Sequence, residues 1–265
     1  MGGQTVSGTE PPSGTVLLDG FHALKHALRF GAHITEALTT DKTAALTLAG
    51  QLAPDLTDRL DALLTEVPAP RLAALSPRPH PTGVAARALR PAQHLPDAGR
   101  TAPTVVLDNP RHLGNIGAVI RLAAGSGAAG VITTGTTDPW HPNVVRAAAG
   151  LHYALPVAHR DGPAQLPPGP LYALDPDGAD IRTLTAPIPP DALLAFGSER
   201  HGLSAATRAR ATHLIALPMR PEVSSYNLAT SVAMTLYHWL LTSAPAAGGA
   251  GPERGPHHGP DAAPH

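Results

Sequence analysis

Residues 104–133 form the stretch TVVLDNPRHLGNIGAVIRLAAGSGAAGVIT. Its two ends, TVVL and GVIT, are short apolar runs of the kind that form buried strands. Between them lie a polar loop, DNPRHLGN, and a segment with helical periodicity. A strand, a loop, a helix and a second strand in this order predict one unit of a parallel α/β sheet.

The helix of this unit is predicted to begin near Asn115, a residue type favoured at helix N-caps, with Gly114 as a turn residue before it. Its apolar residues recur at i, i+3, i+4, i+7 and i+8, and they are Ile116, Val119, Ile120, Ala123 and Ala124. At about 100° per residue, Arg121 lies about 130° from the centre of that stripe. Arg121 is therefore predicted to point away from the core, as an ordinary solvated arginine also would.

Further apolar runs follow downstream. They are LPVAH (155–159), LYALD (171–175), LLAFG (193–197) and HLIALP (213–218). Near-continuous apolar strands separated by helix-forming spacers indicate an α/β domain with a parallel sheet covered on both faces. Ligands of such sheets bind outside the carboxyl ends of the strands, so the loops that follow these runs are the candidate site.

One of these loops is FGSERHGLS, residues 196–204. Gly197 and Gly202 enclose Glu199, and a helix is predicted to begin around Ser204. A glycine at a strand end lets the backbone approach a ligand closely. A glutamate inside such a loop can anchor a cation or orient an arginine, although the pattern also fits an ordinary strand–turn–helix connection.

The other loop opens LPMRPEVSSYNLATSVAMTLYHWLL, residues 217–241. Ser225 and Asn227 precede a helix, where helix capping is the commonest role for such residues. One face of that helix is predicted to be apolar, and it carries Ala229, Val232, Ala233, Leu236, Tyr237 and Leu240.

The N-terminal part, residues 16–90, is predicted to be a small α/β module. Its predicted elements are two helices, DGFHALKHALRFG and LAPDLTDRLDALLTEV, and two strands, HITEAL and GVAARAL. Residues 91–103 are predicted to be a proline-containing linker, and residues 1–15 and 244–265 to be disordered tails. His22 and His26 have metal-ligand spacing, but without a third ligand a solvated helix face is the simpler interpretation.

Composition narrows the class of protein. The chain has no cysteine, so disulfides and thiolate metal sites are excluded, and no apolar run is long enough for a membrane span. The expected location is therefore the cytoplasm. The net charge is −1, but residues 71–121 contain seven arginines (71, 78, 87, 90, 100, 111 and 121) against Asp97 and Asp108. This local excess could follow an RNA backbone or could simply be scattered surface charge.

Taken together, the three loops resemble the SpoU (TrmH-type) family of RNA ribose 2′-O-methyltransferases, in the knotted SPOUT superfamily. The matching residues are Asn115, Gly117 and Arg121 in NIGAVIR, Gly197, Glu199 and Gly202 in GSERHG, and Leu217, Pro218, Met219, Ser225 and Asn227 in the third loop. The N-terminal module more loosely resembles the family's substrate-binding domain. The sequence departs from the family at Tyr226, where leucine is usual, at Pro221, where glycine is common, and at Ala229, where serine often follows.

The resemblance implies a domain at 104–243 with a C-terminal trefoil knot, a homodimer, and S-adenosylmethionine as the cofactor. It implies a cofactor pocket formed by Leu174, Gly197, Leu217, Met219 and Tyr226, and no metal. The substrate it implies is RNA, either ribosomal or transfer RNA. Two alternatives stay open: a small-molecule methyltransferase on the same fold, and a non-catalytic RNA-binding protein.

The resemblance also implies that Arg121, Asn115, Glu199, Ser225 and Asn227 carry the catalysis. A neutral alcohol is a weak nucleophile and gains from a nearby positive charge as it loses its proton. Arginine resists deprotonation, so Arg121 is expected to orient and stabilise rather than to act as the base. The other four residues are expected to hold Arg121 and the ribose by hydrogen bonds.

Overall fold

A computed structural model describes residues 14–92 and 94–243. Its strands are β1 (Thr15–Asp19), β2 (Ile34–Thr39), β3 (Thr65–Glu66), β4 (Val84–Leu89), β5 (Thr104–Leu107), β6 (Gly130–Thr134), β7 (Val157–Arg160), β8 (Leu171–Asp180), β9 (Leu193–Phe196) and β10 (His213–Ala216). Its α-helices are α1 (Phe21–Arg29), α2 (Lys42–Leu52), α3 (Thr57–Leu63), α4 (Ala69–Leu75), α5 (Leu113–Gly125), α6 (Pro142–Ala147), α7 (Ala205–Arg210) and α8 (Leu228–Thr242). The predicted tails lie outside the described residues except for Gly14 and Thr15, and Thr15 already begins β1.

The N-terminal sheet has the strand order β1-β4-β2-β3, with β4 antiparallel to both of its neighbours. The sequence did not predict β1, α2 or α4. In α2, many of the nonpolar positions are alanines, which give a weak periodicity, and the helix start is fixed by Asp41, which accepts a hydrogen bond from the Ala44 amide at 2.8 Å. The predicted helix over residues 52–67 is shorter than expected because the chain becomes extended at Leu64 and then pairs with β2 as β3.

The larger sheet confirms the parallel α/β prediction. Its order is β10-β8-β9-β5-β6-β7, and every neighbouring pair is parallel. The central strands β5 and β9 are buried at every residue, which explains their uninterrupted apolar sequences. Because the strands are parallel, the carboxyl ends of β5, β8, β9 and β10 meet at one edge.

The pairing of β8 with β10 is irregular at this edge. Leu214 lies opposite Ala173, but the next residue, Ile215, lies opposite Ala179. Residues 174–178 therefore have no partner in β10, and the end of β8 is free to line a site. Gly178 lies so close to β10 that an added Cβ would be 2.5 Å from the Ile215 amide nitrogen.

Helix α5 begins earlier than predicted. It starts at Leu113, so Gly114 and Asn115 belong to its first turn and Asn115 is not the N-cap. The predicted core stripe is confirmed at Ile116, Val119, Ile120 and Ala123, which are buried, and Arg121 is exposed. Gly117 allows the close approach of α6, because a Cβ at that position would be 2.5 Å from the Cβ of Ala147.

The apolar face predicted for α8 is only partly buried. Val232 and Leu236 are buried, but Tyr237 and Leu240 are 63% and 45% exposed, and Leu241, which is outside the predicted face, is 70% exposed. The buried side of α8 is completed instead by other residues, which are Leu228, Ser231, Thr235 and Trp239. Helix α8 thus packs against α5 and presents apolar side chains outward as well.

Three contacts join β1 and α1 of the N-terminal module to the elements of the larger sheet. The His26 Nδ1 donates to the carbonyl of Ala149 at 2.9 Å, and the neighbouring Gly150 is so close to α1 that a Cβ there would lie 2.4 Å from the Ala23 carbonyl oxygen. Arg146 of α6 forms an ion pair of 3.0 Å with the buried Asp19 at the end of β1. Helix α1 also packs against the turn Leu151–Tyr153, which packs against α5.

The arginines of residues 71–121 do not form a single phosphate-binding surface. Arg100 is buried and donates to the carbonyls of Pro96, Asp97, Pro168 and Asp191, so the interpretation of Arg100 as a phosphate ligand is wrong. Arg71 and Arg87 both approach Glu36, at 2.5 and 3.8 Å.

None of the helices in the described part of the chain is long and apolar enough to cross a membrane.

Candidate active site

A pocket of about 490 Å³ opens where β8, β9 and β10 end. The first turns of α5 and α8 form its remaining walls, through Asn115 and Leu228. Its volume lies within the range of roughly 300–1,000 Å³ that is usual for small ligands and cofactors.

Nine of the ten residues predicted for the site line this pocket. They are Asn115, Leu174, Gly197, Glu199, Leu217, Met219, Ser225, Tyr226 and Asn227. The tenth, Arg121, is not part of the lining. Within one chain, the three predicted loops therefore converge without the predicted arginine.

The loop after β9 is closed by a tight turn. Ser198 and Gly202 exchange two backbone hydrogen bonds, each of 2.9 Å. Gly197 is required here because a Cβ at that position would lie 2.0 Å from the carbonyl carbon of Gly202. The turn also places Glu199 at the pocket wall, facing the start of α5.

A chain of three side chains connects the first turns of α8 and α5 with this loop. The Asn227 Oδ1 caps α8 by accepting from the Ala229 amide at 2.9 Å, which leaves its Nδ2 free to donate. That Nδ2 donates to the Asn115 Oδ1 at 3.2 Å, and the Asn115 Nδ2 donates to the Glu199 Oε1 at 2.8 Å. The cap thus fixes the orientation of both amides, so Asn227 is both a cap and a member of the site.

Glu199 has an unused acceptor. Its second oxygen, Oε2, is buried and has no hydrogen-bond partner among the described residues. A buried carboxylate oxygen without a donor is unfavourable, so Glu199 would be stabilised by a donor that reaches this atom.

Arg121 lies instead beside helix α1. Burial lowers the pKa values of His22, Lys25 and His26, and the positive charge of Arg121 lowers all three further. Arg121 is exposed, six residues beyond Asn115 along α5. The three side chains on which the charge of Arg121 acts are therefore basic.

His22 and His26 show no third metal ligand. The described residues contain no group of three His, Cys, Asp or Glu side chains that could hold a metal ion. The His26 Nδ1 is already used by the Ala149 carbonyl, which favours the interpretation of these histidines as part of a helix face.

Residues 102–237 match the model of the SpoU rRNA Methylase family, and they include all three loops of the pocket. The chain belongs to the SpoU family. An uncharacterized tRNA/rRNA methyltransferase of Synechocystis is 29% identical over 240 residues, which cover 84% of this chain and 83% of that protein. The 23S rRNA (adenosine(1067)-2′-O)-methyltransferase of Streptomyces laurentii is 27% identical and covers 84% of each chain.

A solved SpoU structure shows the same fold. The SpoU methyltransferase AviRb from Streptomyces viridochromogenes, in complex with AdoMet, superposes with a TM-score of 0.70. The superposition covers 86% of this chain and 90% of AviRb, at 24% sequence identity. The likeness therefore extends over the N-terminal sheet as well as the SpoU region.

Tyr226, which departs from the usual SpoU leucine, makes a contact that leucine could not. Its hydroxyl donates to the Pro218 carbonyl at 3.1 Å and joins the end of β10 to the loop before α8. The same loop contains Glu222 in a left-handed conformation (φ 72°), next to Pro221. The loop is thus held by the tyrosine and by the restricted backbone of proline.

The sequence did not identify Asp175 as part of this SpoU pocket. Asp175 follows Leu174 at the pocket wall, is only 6% exposed, and accepts from the Arg208 Nε at 2.8 Å. Its second oxygen also contacts Arg208 and accepts from the Asp177 amide. Its position directly after an apolar run was the available signal, but its partner on α7 could not be predicted from the local pattern.

Asp108 is a second residue that the sequence did not identify. It lies at the end of β5, is 3% exposed, and accepts hydrogen bonds from the Thr134 hydroxyl at 3.1 Å and from the Ser204 amide at 2.6 Å. The bond to Ser204 ties the end of the Glu199 loop to β5. Asp108 therefore positions the SpoU loop without lining the pocket.

Proposed function

We propose that this protein is an S-adenosylmethionine-dependent methyltransferase that methylates a ribose 2′-hydroxyl in RNA. The observation that carries the proposal is the convergence of Asn227, Asn115 and Glu199 at one pocket, with one Glu199 oxygen left without a partner among the described residues. The SpoU relatives support an RNA substrate, since the Streptomyces laurentii protein is named for 2′-O-methylation of 23S rRNA.

The pocket fits S-adenosylmethionine in size and chemistry. Leu174, Leu217 and Met219 supply apolar surface, and the backbone of Gly197 and the side chain of Tyr226 complete the wall that would hold the cofactor. AviRb, which shares the fold, binds AdoMet. When bound, the cofactor supplies a methyl group on a positively charged sulfur.

The chain's own residues have to orient the ribose hydroxyl and remove its proton. We propose that the Glu199 carboxylate accepts this hydrogen bond and takes the hydroxyl proton, which leaves the ribose oxygen as the nucleophile. Asn115 holds one carboxylate oxygen, so the free one has a fixed direction. Holding the reacting groups in line can lower the barrier by up to roughly 7–11 kcal/mol.

Arg121 is assigned to the RNA phosphate next to the reacting ribose, where it would orient the strand and stabilise developing negative charge.

We also propose a homodimer with the active site near its interface. The outward apolar residues of α8, Tyr237, Leu240 and Leu241, support this, because a second copy would remove them from water.

The domain assignment is likewise a proposal: a substrate-binding domain at 16–90, a linker at 91–103 and a catalytic domain at 104–243 with a C-terminal trefoil knot. The strand order supports the knot, because the chain passes from β8 to β9 on one side and then to β10 on the other side of β8. An RNA substrate would place the enzyme in the cytoplasm.

The test is to incubate the full-length protein with bacterial total RNA and methyl-labelled S-adenosylmethionine, followed by alkaline hydrolysis. Ribose methylation should leave the label in alkali-resistant dinucleotides, and Glu199→Gln should reduce the incorporation by about a hundredfold while still binding the cofactor. Cofactor binding without label in any RNA would support a small-molecule methyltransferase instead. Failure to bind the cofactor would support a non-catalytic RNA-binding protein.

A further inference from the structure

Helix α1 carries a basic stripe opposite its buried apolar face. His22, Lys25, His26 and Arg29 recur at i, i+3, i+4 and i+7, the spacing that places side chains on one side of a helix. The rings of His22 and His26 lie 6.5 Å apart. This stripe therefore concentrates up to four positive charges on nine residues.

Arg121 adds a fifth basic group from another part of the chain. Helix α1 packs against the turn Leu151–Tyr153, which in turn packs against α5, and Arg121 is close enough to lower the pKa values of His22, Lys25 and His26. The basic cluster thus spans the junction between the N-terminal sheet and the SpoU region. We call His22, Lys25, His26 and Arg121 the junction cluster.

The positive charge of the junction cluster is not neutralised. Asp55, the carboxylate whose charge acts on Lys25, is paired with Arg29, and Asp19 is paired with Arg146. Lys25 is only 8% exposed, yet neither it nor Arg121 forms an ion pair or a side-chain hydrogen bond with any other residue that the structure describes. A poorly hydrated ammonium beside a guanidinium is unfavourable unless an anion joins them.

The cluster lies near the proposed reaction site. Arg121 is six residues beyond Asn115 on the same helix, which corresponds to about 9 Å along its axis. Asn115 itself lines the pocket. An anion at the cluster would therefore lie within the reach of a short stretch of RNA backbone whose ribose occupies the pocket.

We propose that Lys25, with His22 and Arg121, binds a phosphate of the RNA strand adjacent to the methylated nucleotide. This proposal rests on the proposed function and adds a specific contact made by α1. Lys25 supplies a fixed charge, Arg121 supplies a second one from α5, and His22 can donate a further hydrogen bond. The contact would set the register of the strand across the junction.

The test compares the only two lysines of the chain, Lys25 and Lys42. Lys42 is also on the N-terminal part, but it is paired with Asp61 at 2.9 Å, so Lys42→Gln is the matched control. Binding of a fluorescein-labelled, single-stranded RNA 12-mer to the full-length protein is measured across a series of salt concentrations. Lys25→Gln should weaken binding by about five- to tenfold at low salt and reduce the slope of log K against log salt by about 0.7–0.9.

Two further readouts separate a phosphate contact from a structural role. Lys25→Arg should restore most of the affinity and the salt slope, because it keeps the charge. The midpoint of thermal unfolding of Lys25→Gln should equal or exceed that of the wild type, since an unneutralised cation has been removed. A lower midpoint together with an unchanged salt slope would overturn the proposal.

The outcome is also distinguishable from failure of the proposed function. Methyl transfer by the wild type to bacterial RNA establishes the function independently of Lys25. If the wild type methylates RNA and Lys25→Gln binds the 12-mer with the affinity and slope of Lys42→Gln, the phosphate site is excluded and the function stands. If inorganic phosphate at constant ionic strength displaces the 12-mer from wild type and Lys25→Gln equally, the site is excluded as well.

Discussion

The side chain of Asn227 caps helix α8 and also donates to Asn115 at 3.2 Å. One amide therefore does two tasks: its oxygen satisfies the first turn of α8, and its nitrogen sets the orientation of Asn115. Asn115 can then donate only toward Glu199, at 2.8 Å. The geometry of the proposed catalytic carboxylate is thus determined by a residue on a different helix.

Asn227→Asp keeps the oxygen that caps α8 and removes the nitrogen that donates to Asn115. Aspartate caps a helix as well as asparagine does, so the free energy of unfolding should change by less than about 1 kcal/mol. It has no N–H to donate, however, and its oxygen would face the Asn115 Oδ1. Methyl transfer should fall by roughly a hundredfold, measured with labelled cofactor. Asn227→Ser is the comparison, since the serine hydroxyl oxygen also caps a helix. Equal activity of Asn227→Asp and the wild type would contradict a role for the amide nitrogen.

The tight turn at Gly197 gives a second prediction. Gly197→Ala places a methyl group against backbone atoms of Gly202, at 2.0 Å, which a rigid turn cannot accommodate. We expect a loss of about 2 kcal/mol or more in stability and at least about a tenfold weaker affinity for S-adenosylmethionine by calorimetry. The control is Gly162→Ala, where an added Cβ meets no atom within 4 Å. Similar behaviour of the two variants would show that the turn is not needed for the pocket.

The strands of the large sheet and the pocket residues could be predicted because both signals are local. An uninterrupted apolar run such as TVVL indicates a strand buried on both faces, and a polar loop after it lies at the sheet edge. Nine of the ten site residues implied by the SpoU resemblance line the pocket, which lies at this edge.

The errors arose where the exposure or the partner of a side chain depends on residues that are distant in the sequence. Apolar spacing in α8 does not distinguish a core face from an outward apolar face, so the exposure of Tyr237 and Leu240 could not be predicted from it. Asn115 is a good cap by type, but its partner is Glu199, 84 residues away. The partner of Asp175 and the neighbours of Arg121 likewise come from distant elements, which no local pattern identifies.

Arg121 provides a third prediction. Arg121→Ala should leave the affinity for S-adenosylmethionine unchanged, because Arg121 does not line the pocket, and should reduce methyl transfer to RNA by at least about a hundredfold. Calorimetry and labelled transfer measure the two effects. Arg182→Ala, which removes a surface arginine paired with Asp180, is the control and should behave as the wild type. Full activity of Arg121→Ala would remove this residue from the mechanism.

The outward face of α8 gives a prediction about assembly. Leu241→Glu changes a side chain that is 70% exposed within one chain, so the folded monomer should be nearly unaffected. A homodimer built on this face should dissociate, with an equilibrium constant raised by about a hundredfold in sedimentation experiments. Leu52→Glu, at a 41% exposed position on α2, should leave the dimer intact. A monomeric wild type at about 10 µM would refute the assembly.

His152 gives a prediction about the dependence of stability on pH. Its side chain is fully buried and in contact with Trp140, its Nε2 donates to the Pro139 carbonyl at 2.8 Å, and its Nδ1 has no partner among the described residues. Burial above all, with a smaller effect of the charge of Arg90, lowers the pKa of His152 from 6.5 to about 4, against the opposing effects of the Pro139 hydrogen bond and of Asp138.

Because the unfolded chain binds this proton at a higher pH than the folded protein does, the neutral histidine contributes its full stability above pH 6.5. That contribution should be lost progressively as the pH falls from 6.5 to about 4, by about 3 kcal/mol in total, and should change little below that. His152→Gln removes the titration, so the difference in unfolding free energy between wild type and variant should shrink by this amount between pH 7.5 and pH 4. Denaturant titrations at several pH values measure it, with the exposed His33→Gln as a control. A difference between wild type and His152→Gln that is independent of pH would show that His152 titrates alike in the folded and unfolded states.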